Sequence, residues 1–328
     1  MTLNAAIVGL GWWGKHILKQ MAESKDLRFA VAVGSREAHR AVADEHGVAF
    51  TTNYEAALRD EEIQVVVLTT PHNLHAEQVL QAAAHGKHVF CEKPLALTVA
   101  DATRCVVACR RAGVGLGIGH ERRFEHAIAK LMALAKSGEL GKVVHAEGNF
   151  SHDKLVGVST DSWRFADKQI SPVAMTGTGV HLTDLFLGLF GEASEAYATS
   201  PRVDGADSNT ISLQLRFASG ATAYMNSVLE TPLYMRFAVF GSAGWAEVRN
   251  LAHPDARGTS TLEVKMANGE QRLITFDWND SVRDNLEAFS RSLTAGAPYP
   301  IRMEQMVENV AVLSATAESL ESGRPVSV

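Results

Sequence analysis

The chain has 328 residues, of which 46% are apolar and 21% charged, and it carries a formal net charge of −6. That length exceeds one ordinary core and predicts two domains, while the acidic balance leaves no basic footprint for nucleic acid or an anionic membrane. No apolar run reaches the length of a membrane span, the N-terminus lacks the form of a signal peptide, and three cysteines without CxxC spacing fit a reducing, cytoplasmic setting.

Strand-like and helix-like patterns alternate through the first third. An apolar run at 4–9 is followed by Gly9-Leu10-Gly11-Trp12-Trp13-Gly14 and the helical pattern KHILKQMAES. LRFAVAV (27–33) gives way to the helical EAHRAVADEHG, VAFT and YEAALRD supply a short strand and helix, and IQVVVLTTP (63–71) is the most β-branched stretch. HAEQVLQAAAHG, KHVFCE, TVADATRCVVACRRAG and VGLGIGH then read as helix, strand, helix and strand. Cys105 and Cys109, four apart on the third of these, fit packing better than metal binding, and no His/Asp/Glu spacing marks a metal site. The alternation predicts a parallel sheet that takes its ligand at the carboxyl ends of its strands.

In that context the glycine motif reads as a dinucleotide fingerprint. Gly9 makes the tight turn, Gly11 lets backbone approach a pyrophosphate, and Gly14 packs helix on strand, with Trp12 and Trp13 offering backbone N–H groups. Where an NAD-binding unit places an acid, this chain has Ser35-Arg36, with Arg40 a turn later. A hydroxyl and a guanidinium favour a 2′-phosphate, so the expected cofactor is NADP, with NAD as the alternative and Glu37 the residue that would serve it.

The stretch TTPHNLHAEQVLQAAAHGKHVFCEKPLA (69–96) resembles the glucose–fructose oxidoreductase / inositol dehydrogenase (Gfo/Idh/MocA) family. The matching positions are Thr70-Pro71, His75, Gly86-Lys87-His88-Val89 and Glu92-Lys93-Pro94, and further matches extend to FAVFGSAGWAEV (237–248) and DNLEAFSRSLTAGAPYPI (284–301). The resemblance implies an α/β Rossmann dinucleotide-binding domain over 1–120 and, over 121–328, an α+β domain with a large open, mostly antiparallel sheet. It also implies a homodimer or homotetramer, because a broad sheet face needs a cover.

By the same resemblance Lys93 carries the proton of a substrate hydroxyl beside the nicotinamide. Burial and a cationic ring would lower its pKa toward working pH. Glu92 orients Lys93 or contacts the ring amide and ribose, and Pro94 restricts the backbone before it. Thr70, Pro71 and His75 join the cofactor set, and so do Arg122 and Arg164, whose family analogues lie near cofactor or substrate. The family's D-x-G-x-H segment falls on GTGVH, so His181 matches while Gly177 stands where the family has Asp. His181 then works with Lys93 alone or with another acid, among which Asp161, Asp184 and Glu121 are candidates. A helix is predicted to begin near Val180, with His181 and Asp184 sharing a face. His120 and His152 are further candidate substrate contacts.

The implied function is hydride transfer between a nicotinamide cofactor and a secondary alcohol or ketone of a sugar, polyol or cyclic diol. A nucleotide-binding regulator and a nucleotide-dependent glycosidase are the alternatives within the family.

Overall fold

The computed structural model describes residues 2–159, 161–166, 172–203 and 206–328. The chain forms two compact units: Met1–Glu121 with Val282–Val307, and Arg122–Ser281 with Glu308–Val328.

The first unit holds strands β1 (Leu3–Val8), β2 (Leu27–Val33), β3 (Ala49–Thr51), β4 (Val65–Leu68), β5 (His88–Cys91) and β6 (Leu116–Ile118). They lie in the order β3-β2-β1-β4-β5-β6, every pair parallel. Helices α1 (Trp12–Gln20), α2 (Arg40–Glu45), α3 (Tyr54–Arg59), α4 (His72–Ala84) and α5 (Val99–Ala112) connect them. This is a Rossmann fold, and strand order reverses between β1 and β4, where such sheets open a crevice for ligand. The predicted strand at 63–71 is shorter than its apolar run. Past Leu68 the chain turns: the Thr69 hydroxyl reaches the carbonyls of Val8 (3.0 Å) and Gly9 (2.6 Å), tying the ends of β4 and β1 together.

Local chemistry sets the helix ends. Thr98 caps α5 by accepting from the Asp101 N–H at 3.1 Å, and Gly113 closes the helix with a left-handed φ of 67°. The glycines that make VGLGIGH look weak as a strand have a packing reason. A Cβ at Gly117 would lie 2.8 Å from both Phe289 and Phe90, and one at Gly115 would lie 2.5 Å from Leu293. Both Phe289 and Leu293 come from α8 (Ser281–Thr294), which rejoins this unit late in the chain.

The second unit is built on a nine-stranded sheet. Its strands are β7 (Val143–Ser151), β8 (Ala193–Thr199), β11 (Thr210–Phe217), β12 (Thr222–Val228), β13 (Tyr234–Gly241), β14 (Gly244–Asn250), β15 (Thr259–Met266), β16 (Gln271–Asp277) and β17 (Val326–Ser327). The order is β16-β15-β14-β13-β7-β12-β11-β8-β17, with β12 and β7 the parallel pair among antiparallel neighbours. A small ribbon of β9 (Arg202–Val203) and β10 (Ala206–Asp207) stands apart from it. Alternation sorts the two faces. Ala146, Phe150, Leu213, Met225, Phe237 and Val248 point into a core with α6 (His126–Lys136), α7 (Val180–Phe190) and the later turns of α9 (Met303–Ser322). Tyr197, Tyr224, Tyr234 and Leu273 stay exposed.

Candidate active site

At the glycine turn, Gly9 adopts φ 100°, and a Cβ there would lie 2.8 Å from the Thr69 backbone. A Cβ at Gly14 would fall 2.0 Å from the Gly9 carbonyl oxygen, so only glycine lets α1 start this close to β1. Gly11 is different. Among the described residues a Cβ on it would meet no atom within 4 Å, so none of them demands glycine there. The N-terminus of α1 has no side-chain cap and no acid in its first turn. A bare backbone cradle on a helix start fits the pyrophosphate of a dinucleotide. Trp12 is largely exposed, while Trp13 stacks on His16 at 5.0 Å.

One crossover away, β5 ends in Glu92-Lys93-Pro94, with a cis peptide before Pro94. Glu92 is buried, and its carboxyl lies directly over Gly119 just beyond β6, where a Cβ would sit 2.4 to 2.5 Å from the carboxyl atoms. Burial raises its pKa from 4.5 to about 7, opposed by the Trp13 indole and the Lys93 charge. The indole N–H approaches the carboxylate without completing a hydrogen bond. The Lys93 backbone N–H donates to Glu92 Oε2 at 3.3 Å, and the Lys93 side chain is half-buried.

His75 lies on α4, fully buried, and spends both ring nitrogens on backbone carbonyls: Nδ1 on Pro94 (2.8 Å) and Nε2 on Thr70 (2.9 Å). Burial lowers its pKa more than those carbonyls raise it, and the neutral ring, with a single N–H, donates to one of the two carbonyls. The Thr70 hydroxyl donates to Gln78 at 2.5 Å, and Pro71 opens α4. These three residues therefore shape the loop beside the glycine turn and hold the Pro94 carbonyl. Lys87 of the GKHV stretch donates to the carbonyls of Asp60 and Ile63, both at 2.7 Å, and is structural. Cys91, Cys105 and Cys109 are buried thiols, with burial pushing Cys105 to about 12 and Cys109 to about 11. Among the described residues no three His, Cys, Asp or Glu side chains are grouped to hold a metal ion.

Beyond β2, Ser35 and Arg36 are exposed, and Arg36 Nε donates to His39 Nε2 at 3.2 Å. Burial, then Arg36, then Lys15 depress the His39 pKa, so two cations flank that ring. Glu37 is engaged by Arg40, which also lies over the Phe50 ring. Glu37 is thereby paired.

In the second unit the helix carrying His181 begins earlier than its apolar spacing predicts. A π-helical turn over Met175–Gly179 runs straight into α7, so His181 sits inside a continuous helix. Its buried ring packs 5.8 Å from Phe150. Asp184 is no substitute acid for His181, because Arg123 holds it through Nε–Oδ2 (2.6 Å) and Nη2–Oδ1 (2.8 Å). Asp161 is exposed and Glu121 buried. Among the described residues, a Cβ at Gly177 would meet Leu155 and Leu229, both at 3.8 Å.

Arg122 is 1% exposed and pairs with Glu125 (2.9 Å) and Asn250 (2.9 Å) over the Phe150 ring. Arg164 stacks on Trp163, with burial lowering its pKa. A shallow cleft in this unit is lined in part by Glu125, Asn250, His253, Asp277 and Asn279. Neither Lys93 nor His181 lines it. Sequence reading missed Gly119, Lys15, His39 and the His253 region. The available signals were a glycine just past a strand end and a His-Pro-Asp cluster in a loop, and both are faint.

A nucleotide-cradling Rossmann unit joined to a mostly antiparallel sheet defines a class of nicotinamide-dependent oxidoreductases. The family model described as the oxidoreductase family with an NAD-binding Rossmann fold matches residues 3–120, and the GFO/IDH/MocA C-terminal domain matches 128–247. The chain is 32% identical over 305 residues to a D-xylose 1-dehydrogenase (NADP(+)) of Haloferax volcanii, covering 91% of this chain and 92% of that one. It is 27% identical over 311 residues to an inositol 2-dehydrogenase of Salmonella paratyphi B, covering 91% and 88%. In fold it resembles the aldose-aldose oxidoreductase of Caulobacter crescentus, with a TM-score of 0.88, 23% identity and full coverage of both chains. The chain belongs to the Gfo/Idh/MocA oxidoreductase family.

The raised Glu92 pKa makes a pH prediction. A carboxyl that folding moves from 4.5 to about 7 binds its proton more tightly in the native state, so stability falls as pH rises through that window. Its contribution to the fall is on the order of 3 kcal/mol. In Glu92→Gln this contribution disappears, read as urea-unfolding free energies near the two ends of the window. Equal pH slopes in wild type and variant would show that Glu92 is not the titrating group.

Proposed function

We propose that the protein moves hydride between NADP(H) and a secondary alcohol or ketone on a sugar, polyol or cyclic diol. The observation that carries this reading is the sheet order β1-β4-β5, which brings the turn after β1 and the turn after β5 to the carboxyl edge of one parallel sheet. It joins the glycine turn and the Glu92-Lys93-Pro94 turn within one unit. The names of the relatives, a D-xylose 1-dehydrogenase that uses NADP(+) and an inositol 2-dehydrogenase, favour the same substrate class. No observation favours the regulator or the glycosidase.

The nicotinamide ring, when bound, supplies the hydride acceptor or donor. Gly9, Gly11 and Gly14, with the backbone at Trp12 and Trp13, receive the pyrophosphate. Ser35 and Arg36 receive the 2′-phosphate, and the charges of Arg36 and Lys15 beside His39 add a field that draws it in. Thr70 and Pro71 wall the cofactor loop, and His75 holds that wall in place from behind. Glu92 contacts the ring amide or ribose.

Lys93 takes the hydroxyl proton as an alcohol becomes a ketone and returns a proton in the reverse direction. His181 serves as a second proton carrier, and Arg122 and Arg164 attend the cofactor or substrate. The exposed sheet face bearing Tyr197, Tyr224 and Tyr234 is the surface on which a second copy of the chain packs. The chain works in the cytoplasm.

Lys93→Met is expected to lower turnover by roughly 10²- to 10⁴-fold while NADPH affinity, read by fluorescence titration, is retained. A variant with wild-type turnover would remove Lys93 from the mechanism. Arg36→Ala is expected to raise the KM for NADP(+) by about ten- to a hundredfold, with the KM for NAD(+) little changed. A parallel loss for both cofactors would place Arg36 outside the 2′-phosphate site. Light scattering is expected to give a dimer or tetramer, and Tyr224→Lys to shift the mass toward the monomer. A wild-type monomer would end the assembly proposal.

A further inference from the structure

The turn after β2 holds an imidazole, His39, packed between the strand end and Arg36. Glu37–His39 form a single 3₁₀ turn, and Arg36 before it is extended, with φ −156° and ψ 154°. The turn closes on Arg36 twice. The His39 backbone N–H donates to the Arg36 carbonyl at 3.0 Å, and Arg36 Nε donates to His39 Nε2 at 3.2 Å. Residues three apart eclipse one another in such a turn, so the backbone itself carries the ring to the guanidinium.

Close packing fixes where the ring sits. A Cβ at Gly34 would lie 2.7 Å from the His39 Cβ, 2.8 Å from the Phe50 ring and 3.0 Å from His39 Nδ1. The end of β2 thus leaves bare backbone where His39 and Phe50 lean on it. His39 Nδ1 is buried there and has no hydrogen-bond partner among the described residues. A neutral imidazole that accepts through Nε2 carries its proton on Nδ1, so the unpaired N–H is the one turned toward Gly34. Burial, then the charges of Arg36 and Lys15, lower the pKa of the ring, which keeps it neutral and able to accept. A buried N–H without a partner is costly. The imidazole contributes one acceptor, and that acceptor is aimed at Arg36.

The same contact decides which edge of the guanidinium is free. Nε is taken by His39, while Nη1 and Nη2 have no hydrogen-bond partner among the described residues and Arg36 is exposed. That end-on pair of N–H groups matches two oxygens of a phosphate. Arg40, the other arginine of the segment, is committed to Glu37 and lies over Phe50. An exposed arginine loses rotamer freedom when it closes on an anion, and one already tethered at Nε loses less.

We propose that His39 is a positioning residue that holds Arg36 through Nε and presents its Nη1 and Nη2 groups to the 2′-phosphate of NADP(H), with Gly34 as the space that admits the imidazole. His39 acts on the nucleotide only through Arg36. The assignment rests on the NADP reading of Ser35 and Arg36, and its readout is binding, which needs no turnover.

Fluorescence titrations with NADPH and with NADH are run on wild type, His39→Ala, Arg36→Ala and the double variant. His39→Ala is expected to weaken NADPH binding about three- to tenfold and to leave NADH binding unchanged. In the Arg36→Ala background the same substitution is expected to cost nothing further, because its effect passes through Arg36. His39→Phe keeps the packing on Gly34 and removes the acceptor. It is expected to match His39→Ala, and it carries the test where the smaller side chain does not fold. Wild-type NADPH affinity in His39→Phe overturns the proposal. So does an equal loss for NADH, which marks a structural role, or an undiminished loss in the Arg36→Ala background, which marks a direct contact. A wild type that binds NADPH no better than NADH removes the NADP reading and the proposal with it. A preference for NADPH that both His39 variants leave intact removes the positioning role alone.

Discussion

A carboxyl group buried at the end of a parallel strand governs the nucleotide half of this protein. Glu92 fits only because residue 119 has no side chain, and its oxygens occupy the space a Cβ would take. Its neighbours are the Trp13 indole and the Lys93 backbone, so the glycine-turn helix, the β5 end and the β6 end meet around this carboxyl. Burying an acid with so few full hydrogen bonds is costly. A fold that retains such a group gives up stability to place it, and groups with strongly shifted pKa values cluster at functional sites.

The second unit manages its charges differently. Arg123 and Asp184 close a buried, bidentate pair, and Arg122, Glu125 and Asn250 close another network beside it. Gly188 on α7 belongs to the first of these, since a Cβ there would lie 3.1 Å from the Arg123 guanidinium carbon. Of the acids that sequence inspection offers to His181, Asp184 is committed to Arg123, and the rings of His152, His181 and His253 group on Phe150. Phe150 links them because it is the last inward-facing residue of β7 before the strand leaves the sheet.

At the end of β2, ion pairing separates two adjacent residues of opposite charge. Glu37 and Arg36 are adjacent in sequence and would favour opposite cofactors. The short turn beginning at Glu37 brings Arg40 onto Glu37 and leaves Arg36 beside His39 and Lys15. The local field is positive as a result.

By itself the sequence determined the six-strand alternation of the first unit, the glycine turn, the Glu92-Lys93-Pro94 turn and the family. These are carried by residues near one another in the chain, where turn geometry, β-branching and helix starts are local physics. Tertiary structure alone decided that Gly115, Gly117 and Gly119 are spaces for Leu293, Phe289 and Glu92. It also decided that a π-helical turn carries the chain into α7, that Asp184 belongs to Arg123, and that His253 and Asp255 stand beside Phe150. Each of those facts depends on which strand ends share an edge and which side chains fill one volume. Pairing register and close packing join residues a hundred positions apart, and no local pattern encodes that.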